Sequence, residues 1–165
     1  MTLTFATRHA IRVVLLAGLL IAGFQSISAQ TAADIANAAY GAIAELTGPL
    51  KIFIFTTDID SRQLIAKELA KEPKLTIVDA KEDADVTLYF KLWSEESLAA
   101  GTTLSTVYGS LVVAKTVVRK DQERLRICWN TQKNAHVRWN AHPAVSATRE
   151  FLKALKKANT DKEKK

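Results

Sequence analysis

Residues 50 to 79 constrain this chain most, because two apolar runs there are separated by one helical repeat. "LKIFIFT", residues 50–56, is nearly continuous in apolar and aromatic side chains, the pattern of a central strand covered on both faces. "SRQLIAKELAKE" follows, with Leu64, Ile65 and Leu69 on one stripe and Arg62, Lys67, Glu68 and Lys71 turned to water. Pro73 stops that helix, and "KLTIVD", residues 74–79, reads as a second strand. A strand–helix–strand unit favours parallel pairing with a right-handed crossover, so the chain opens on a β-α-β element.

The pattern downstream changes to period two. In "VTLYFKLW", Val86, Leu88, Phe90 and Leu92 alternate with Thr87, Tyr89, Lys91 and Trp93, as in a strand with one face on a core. Residues 94–106 keep no period and contain Gly101 among small polar residues, which predicts a loop. "VYGSLVVAKTVV" and "RLRICWN" flank "RKDQE" and predict a long β-hairpin. Pro143 then opens a closing helix with Val145, Thr148, Phe151, Leu152 and Leu155 on one stripe. The order implies an α/β (α+β) domain: a small, mixed, mostly antiparallel sheet with helices packed on it, most simply in two layers.

The first 29 residues stand outside this pattern. Arg8, His9 and Arg12 precede the apolar run 13–24, and small residues up to Ala29 follow, as in an export signal. The run is about a dozen residues, whereas a membrane-spanning helix needs about 20. The expected location is therefore periplasmic or secreted. A lipoprotein signal needs a cysteine at its cleavage point, and the single cysteine is Cys128, so lipid anchoring by that route is not expected. Cys128 sits within an alternating strand pattern and reads as a small packed thiol, with an intermolecular disulfide as the alternative. Residues 30–49 are Ala-rich and read as a helix or spacer, with Ile35, Tyr40, Ile43 and Leu46 near helical spacing over 31–46. A single domain is expected over 50–158 and a basic, disordered tail over 159–165.

Charge excludes one class of partner. The chain carries +6, but Arg8 and Arg12 lie in the leader, and Lys153, Lys156, Lys157, Lys162, Lys164 and Lys165 outnumber Asp161 and Glu163 at the end. The body between is formally neutral. That leaves no steering field for nucleic acid, and leaves weak contact with an anionic membrane through Lys156, Lys157, Lys162, Lys164 and Lys165 as an alternative role.

Asp58 and Asp60 directly follow the first strand, where ligands of open sheets gather. Asp58-x-Asp60 resembles the nucleophile motif of haloacid dehalogenase-like phosphatases, which would imply a magnesium-dependent phosphohydrolase using the two aspartates. The sequence departs from that motif at Arg62, and the acidic residues Asp79, Asp83 and Asp85 follow the very next strand. A helix cap needs less: Asp60 or Ser61 accepts from free amides of the first turn while the charges complement the helix dipole. His136 and His142 are six residues apart, without nearby carboxylates, and read as exposed or capping residues rather than zinc ligands. No glycine-rich phosphate loop and no nucleophile elbow occur, so no cofactor, catalytic residue or metal is expected, Asp58 and Asp60 being the weak metal candidates.

The candidate binding surface is aromatic and basic: Tyr89, Lys91 and Trp93 on one outward strand face, Arg126 and Arg138 on others, with Trp139 and Lys133 near the end. Such a face can stack sugars or peptides, or it can be core beneath a helix. The pattern "LKIFIFTTDIDSRQLIAKEL…LTIVDAKEDADVTLYF" resembles exported bacterial α/β domains of the TolB amino-terminal, LpoB and CsgG type. That resemblance covers about residues 50–157 and implies a non-catalytic domain that binds protein partners in the cell envelope. It carries no site residues, because it lies in the order of elements.

Overall fold

The computed structural model describes residues 33–99, 102–119, 122–136 and 141–163. Residues 1–29, read above as an export signal, lie outside these. Two units divide the chain, Met1–Ala38 and Ala39–Lys165. In the first, residues 33–36 form a helical turn closed by the Asn37 amide donating to the Ala33 carbonyl at 3.0 Å.

The second unit contains a six-stranded sheet. Its strands are β1 (Ala39–Tyr40), β2 (Leu50–Phe55), β3 (Leu75–Val78), β4 (Val86–Ala99), β5 (Thr102–Arg119) and β6 (Gln122–His136). Two helices, α1 (Ile59–Leu69) and α2 (Pro143–Glu163), complete it with 3₁₀ turns at Ile43–Glu45 and Lys81–Asp83. The strand order is β1-β6-β5-β4-β2-β3. β2 runs parallel to both β3 and β4, and β1 parallel to β6, whereas the long β4–β5–β6 meander is antiparallel. The mixed sheet, the β-α-β start and the long hairpin match the expected architecture.

Both helices pack on one face. Leu50, Ile52, Ile54, Val86, Leu88, Phe90, Leu111 and Val113 form a core with Ile65 and Leu69 of α1 and with Ala144, Ala147, Phe151, Leu152 and Leu155 of α2. Burying each large apolar side chain here contributes about 1.5–3 kcal/mol. Gly109 lets α2 start close to the sheet, since a Cβ there would lie 2.7 Å from both the Phe90 ring and Pro143. β2 is consequently buried on one side only. Phe53 and Phe55, pointing to the other side, are half-buried, which corrects the expectation of a strand covered on both faces.

Three local expectations are revised. Residues 94–99 and 102–106 are strand where a loop was expected: β4 runs to Ala99, β5 starts at Thr102, and Ala99 pairs with Thr102. Cross-strand pairing supplies the order that side-chain periodicity does not announce. The Ala-rich helix expected over 31–46 ends at residue 36. Tyr40 pairs with Ile127 instead, and Leu46 is fully buried in the core, so part of the presumed spacer belongs to the sheet unit. Gly48, with φ +83°, makes the left-handed turn that returns the chain to β2. At the other end, α2 continues to Glu163, so residues 159–163 are helical where a disordered tail was expected.

Cys128 owes its position to a β-bulge. Val113 faces Trp129 and Ala114 faces Ile127, so Cys128 is the extra residue between them. It packs into the core, and burial, then the Glu45 carboxylate, push its thiol pKa upward.

Candidate functional site

The β-alternation that buries Leu88 and Phe90 beneath the helices turns Thr87, Tyr89, Lys91 and Trp93 to the opposite face. Across the ladder, Val112 faces Tyr89, Ser110 faces Lys91 and Tyr108 faces Trp93. The Trp93 and Tyr108 rings are stacked, 5.5 Å between centroids and 15° apart in plane. Trp93 Nε1 donates to Glu95 Oε1 at 3.2 Å, which anchors the indole orientation. Lower on the face, Phe55 meets Tyr89 at 5.6 Å, and Lys81 Nζ lies 5.9 Å from the Tyr89 ring centroid. Tyr89 is only 5% exposed, while Lys91 is exposed and Trp93 and Tyr108 are half-exposed. Among the described residues of this unit, neither helix packs on this side. The arrangement offers flat ring area with a cation beside it, suited to stacking and cation–π contacts.

Alternation sets Tyr89, Lys91 and Trp93 on one strand face, but Tyr89, expected to face outward, is buried there, and Tyr108 and Phe55 were not anticipated. Tyr108 becomes findable once a two-residue turn is placed at residues 100–101, because that register sets it opposite Trp93. The basic candidates do not join them. Arg126 lies toward the 3₁₀ turn and forms a 2.9 Å ion pair with Glu45. Lys133 lies toward α2, where it pairs with Glu150 at 2.6 Å and lowers that carboxyl's pKa, assisted by the Thr131 hydroxyl. Arg138 and Trp139 fall outside the described residues.

The aspartate pair separates. Asp58, not Asp60 or Ser61, is the N-cap of α1: its Oδ2 accepts from the Ser61 amide at 2.7 Å. The Ser61 hydroxyl, then that amide, hold the Asp58 carboxyl below its usual range. Asp60 is exposed in the first turn, where negative charge complements the dipole. Asp79 makes a long 3.7 Å contact with Arg62, and Asp85 Oδ2 accepts from the Lys51 amide at 2.8 Å. Among the described residues no three His, Cys, Asp or Glu side chains are grouped to hold a metal ion. His142 caps α2, its Nδ1 accepting from the Ala144 amide at 3.2 Å.

The lysines of α2 are partly engaged. Lys156 pairs with Glu72, and Lys162 Nζ donates to Thr47 Oγ1 at 3.4 Å. Lys153 and Lys157 are exposed, whereas Lys164 and Lys165 lie outside the described residues. Among the described residues no helix is long and apolar enough to cross a membrane.

No family model matches the chain, and no curated protein matches it. Among solved structures it is similar to the hypothetical protein CT253 from Chlamydia trachomatis, with 6% identity over 65% of this chain and 94% of that one, at a TM-score of 0.40. A PDZ domain protein from Parabacteroides distasonis shares 15% identity over 66% of this chain and 32% of its own, at a TM-score of 0.36. Rare lipoprotein B from Shewanella oneidensis shares 16% over 66% and 87%, at 0.28. These are distant likenesses to bacterial proteins, too shallow to carry a function across.

Proposed function

We propose that the chain is a non-catalytic binding domain, exported by its amino-terminal leader, that engages a protein partner in the cell envelope through the face of β4 and β5 opposite α1 and α2. One observation carries this reading: the stacked Trp93–Tyr108 pair sits beside exposed Lys91 on a sheet face that neither helix of the unit covers. Aromatic rings bury large area against a partner and sacrifice little conformational entropy, because two torsions define each ring. The apolar run 13–24 behind Arg8 and Arg12 supports export. Asp58 serves as a cap, which removes the motive for assigning it to phosphoryl transfer.

The test is site-specific photocrosslinking in cells. Benzoylphenylalanine at position 110, between the rings and facing Lys91, is expected to give a discrete adduct heavier than the chain. The same probe at exposed position 67 on α1 is expected to give none. Absence of an adduct from position 110 in folded protein, or equal adducts from both positions, overturns the reading.

A further inference from the structure

β4 loses a neighbour after its first four residues. β2 ends at Phe55, opposite Tyr89, so among the described residues the backbone of β4 from Phe90 to Ala99 is paired only on its β5 side. A free strand edge is a template for another strand. We propose that this edge pairs antiparallel with the same edge of a second copy of the chain, about a two-fold axis through Trp93. The proposal rests on the binding reading above and names the partner of that surface.

Charge selects the register. With the axis at Trp93, Lys91 faces Glu95 of the second copy, and Glu95 faces the second copy's Lys91, so two opposite-charge pairs form by symmetry. Leu92 then faces Ser94, Phe90 faces Glu96, and Trp93 meets its own counterpart. An axis at Glu95 would set two carboxylates against each other, and an axis at Ser94 would set Trp93 against Glu95. Opposite charges directly across a ladder stabilise it, and like charges destabilise it. A two-fold perpendicular to the sheet keeps the faces opposite α1 and α2 of both copies on one side, and Trp93 already stacks on Tyr108. Pairing therefore aligns four rings, Tyr108 and Trp93 of each copy, into one ladder.

The pairing begins where the ladder with β2 ends. The outermost pair, Phe90 with Glu96, occupies the first position past the end of β2. The hairpin tip beyond Glu96 must leave the sheet plane there. Residues 94–98 and 102–105 are all exposed, so no packing within the chain holds the tip flat.

Sedimentation across a concentration series, on the chain as the cell accumulates it, tests the proposal. The parent is expected to dimerise. K91E and E95K are each expected to weaken the dimer about tenfold or more, because each reversal acts at both symmetric pairs. The double reversal K91E/E95K is expected to recover to within about threefold of the parent, since it restores opposite charge at both pairs. Trp93→Cys is expected to oxidise to a linked dimer faster than Ser97→Cys. A parent that stays monomeric at about 100 μM, a double reversal no better than the singles, or equal oxidation at positions 93 and 97 overturns it. A monomeric chain that still yields a heterologous adduct from position 110 sinks the dimer and spares the binding reading; an adduct of twice the chain mass alone supports both and identifies the partner of that surface as a second copy.

Discussion

The two halves of the β4–β5 ladder have the same hydrogen-bond pattern and different reasons to exist. In the lower half, Val86, Leu88, Phe90, Leu111 and Val113 are buried beneath α1 and α2. In the upper half, residues 94–98 and 102–105 are exposed, Leu98 at 81% and Leu104 at 51%. The lower half is held by apolar burial; the upper half is held by backbone pairing and the Trp93–Tyr108 stack. Local stability follows burial, so the arm belongs to the low end of the molecule's opening energies, from which binding surfaces are drawn.

The most severe way to break the contrast is to empty the lower half. Phe151 is fully buried and meets Trp129 at 5.5 Å between centroids, joining α2 to β6. Phe151→Ala is expected to cost about 3–5 kcal/mol, read from the denaturant midpoint at unchanged slope. A loss below about 1 kcal/mol would mean that α2 is not what stabilises the lower sheet.

A smaller effect is expected at the junction of the two helices. Glu68 on α1 is buried, and its carboxylate receives Arg149 Nε at 3.0 Å and Nη2 at 3.1 Å from α2, with Lys71 Nζ at 2.7 Å. Arg149, then Lys71, hold the Glu68 pKa at about 2, against an ordinary 4.5. A depressed carboxyl stabilises the fold fully above its unfolded value and loses that contribution as pH falls toward its folded value. Both cationic partners are largely exposed, which screens the gain. Glu68→Gln is therefore expected to cost about 2 kcal/mol at pH 7, with the difference from the parent closing as pH falls from about 4.5 toward 2. A pH-independent difference would assign the effect to packing.

What could be read from the sequence follows the same division. Where burial dictates the residues, as in Ile65, Leu69, Val86 and Leu88, periodicity announced both element and face; for Ile52 and Ile54 it announced the strand alone. The arm has no buried side to write a period, so residues 94–106 looked like a loop although 94–99 pair with 102–107. The Ala-rich stretch failed for another reason: helix propensity is a weak prior, and pairing of Tyr40 with β6 plus burial of Leu46 overrode it. In the candidate site, alternation was enough to place Tyr89, Lys91 and Trp93 together. Arg126 could not be placed that way, because the bulge at Cys128 changes the parity of β6 between Trp129 and Ile127.

The sharpest use of the comparison asks for the smallest effect. Leu98 and Leu104 point from opposite faces of the arm and neither enters the core, so replacing either with Ser leaves the core intact. Each change is expected to move global stability by less than about 0.5 kcal/mol. Amide exchange is expected to separate the halves: amides of residues 94–106 should open at far lower free energy than those of residues 86–90, which should approach the global value. Raising the protein concentration adds a second contrast, since edge pairing would slow exchange over residues 90–96 and leave the tip unchanged. Arm amides protected to the global level in dilute protein would abolish the distinction between the halves and place the upper ladder inside the same cooperative unit as the core.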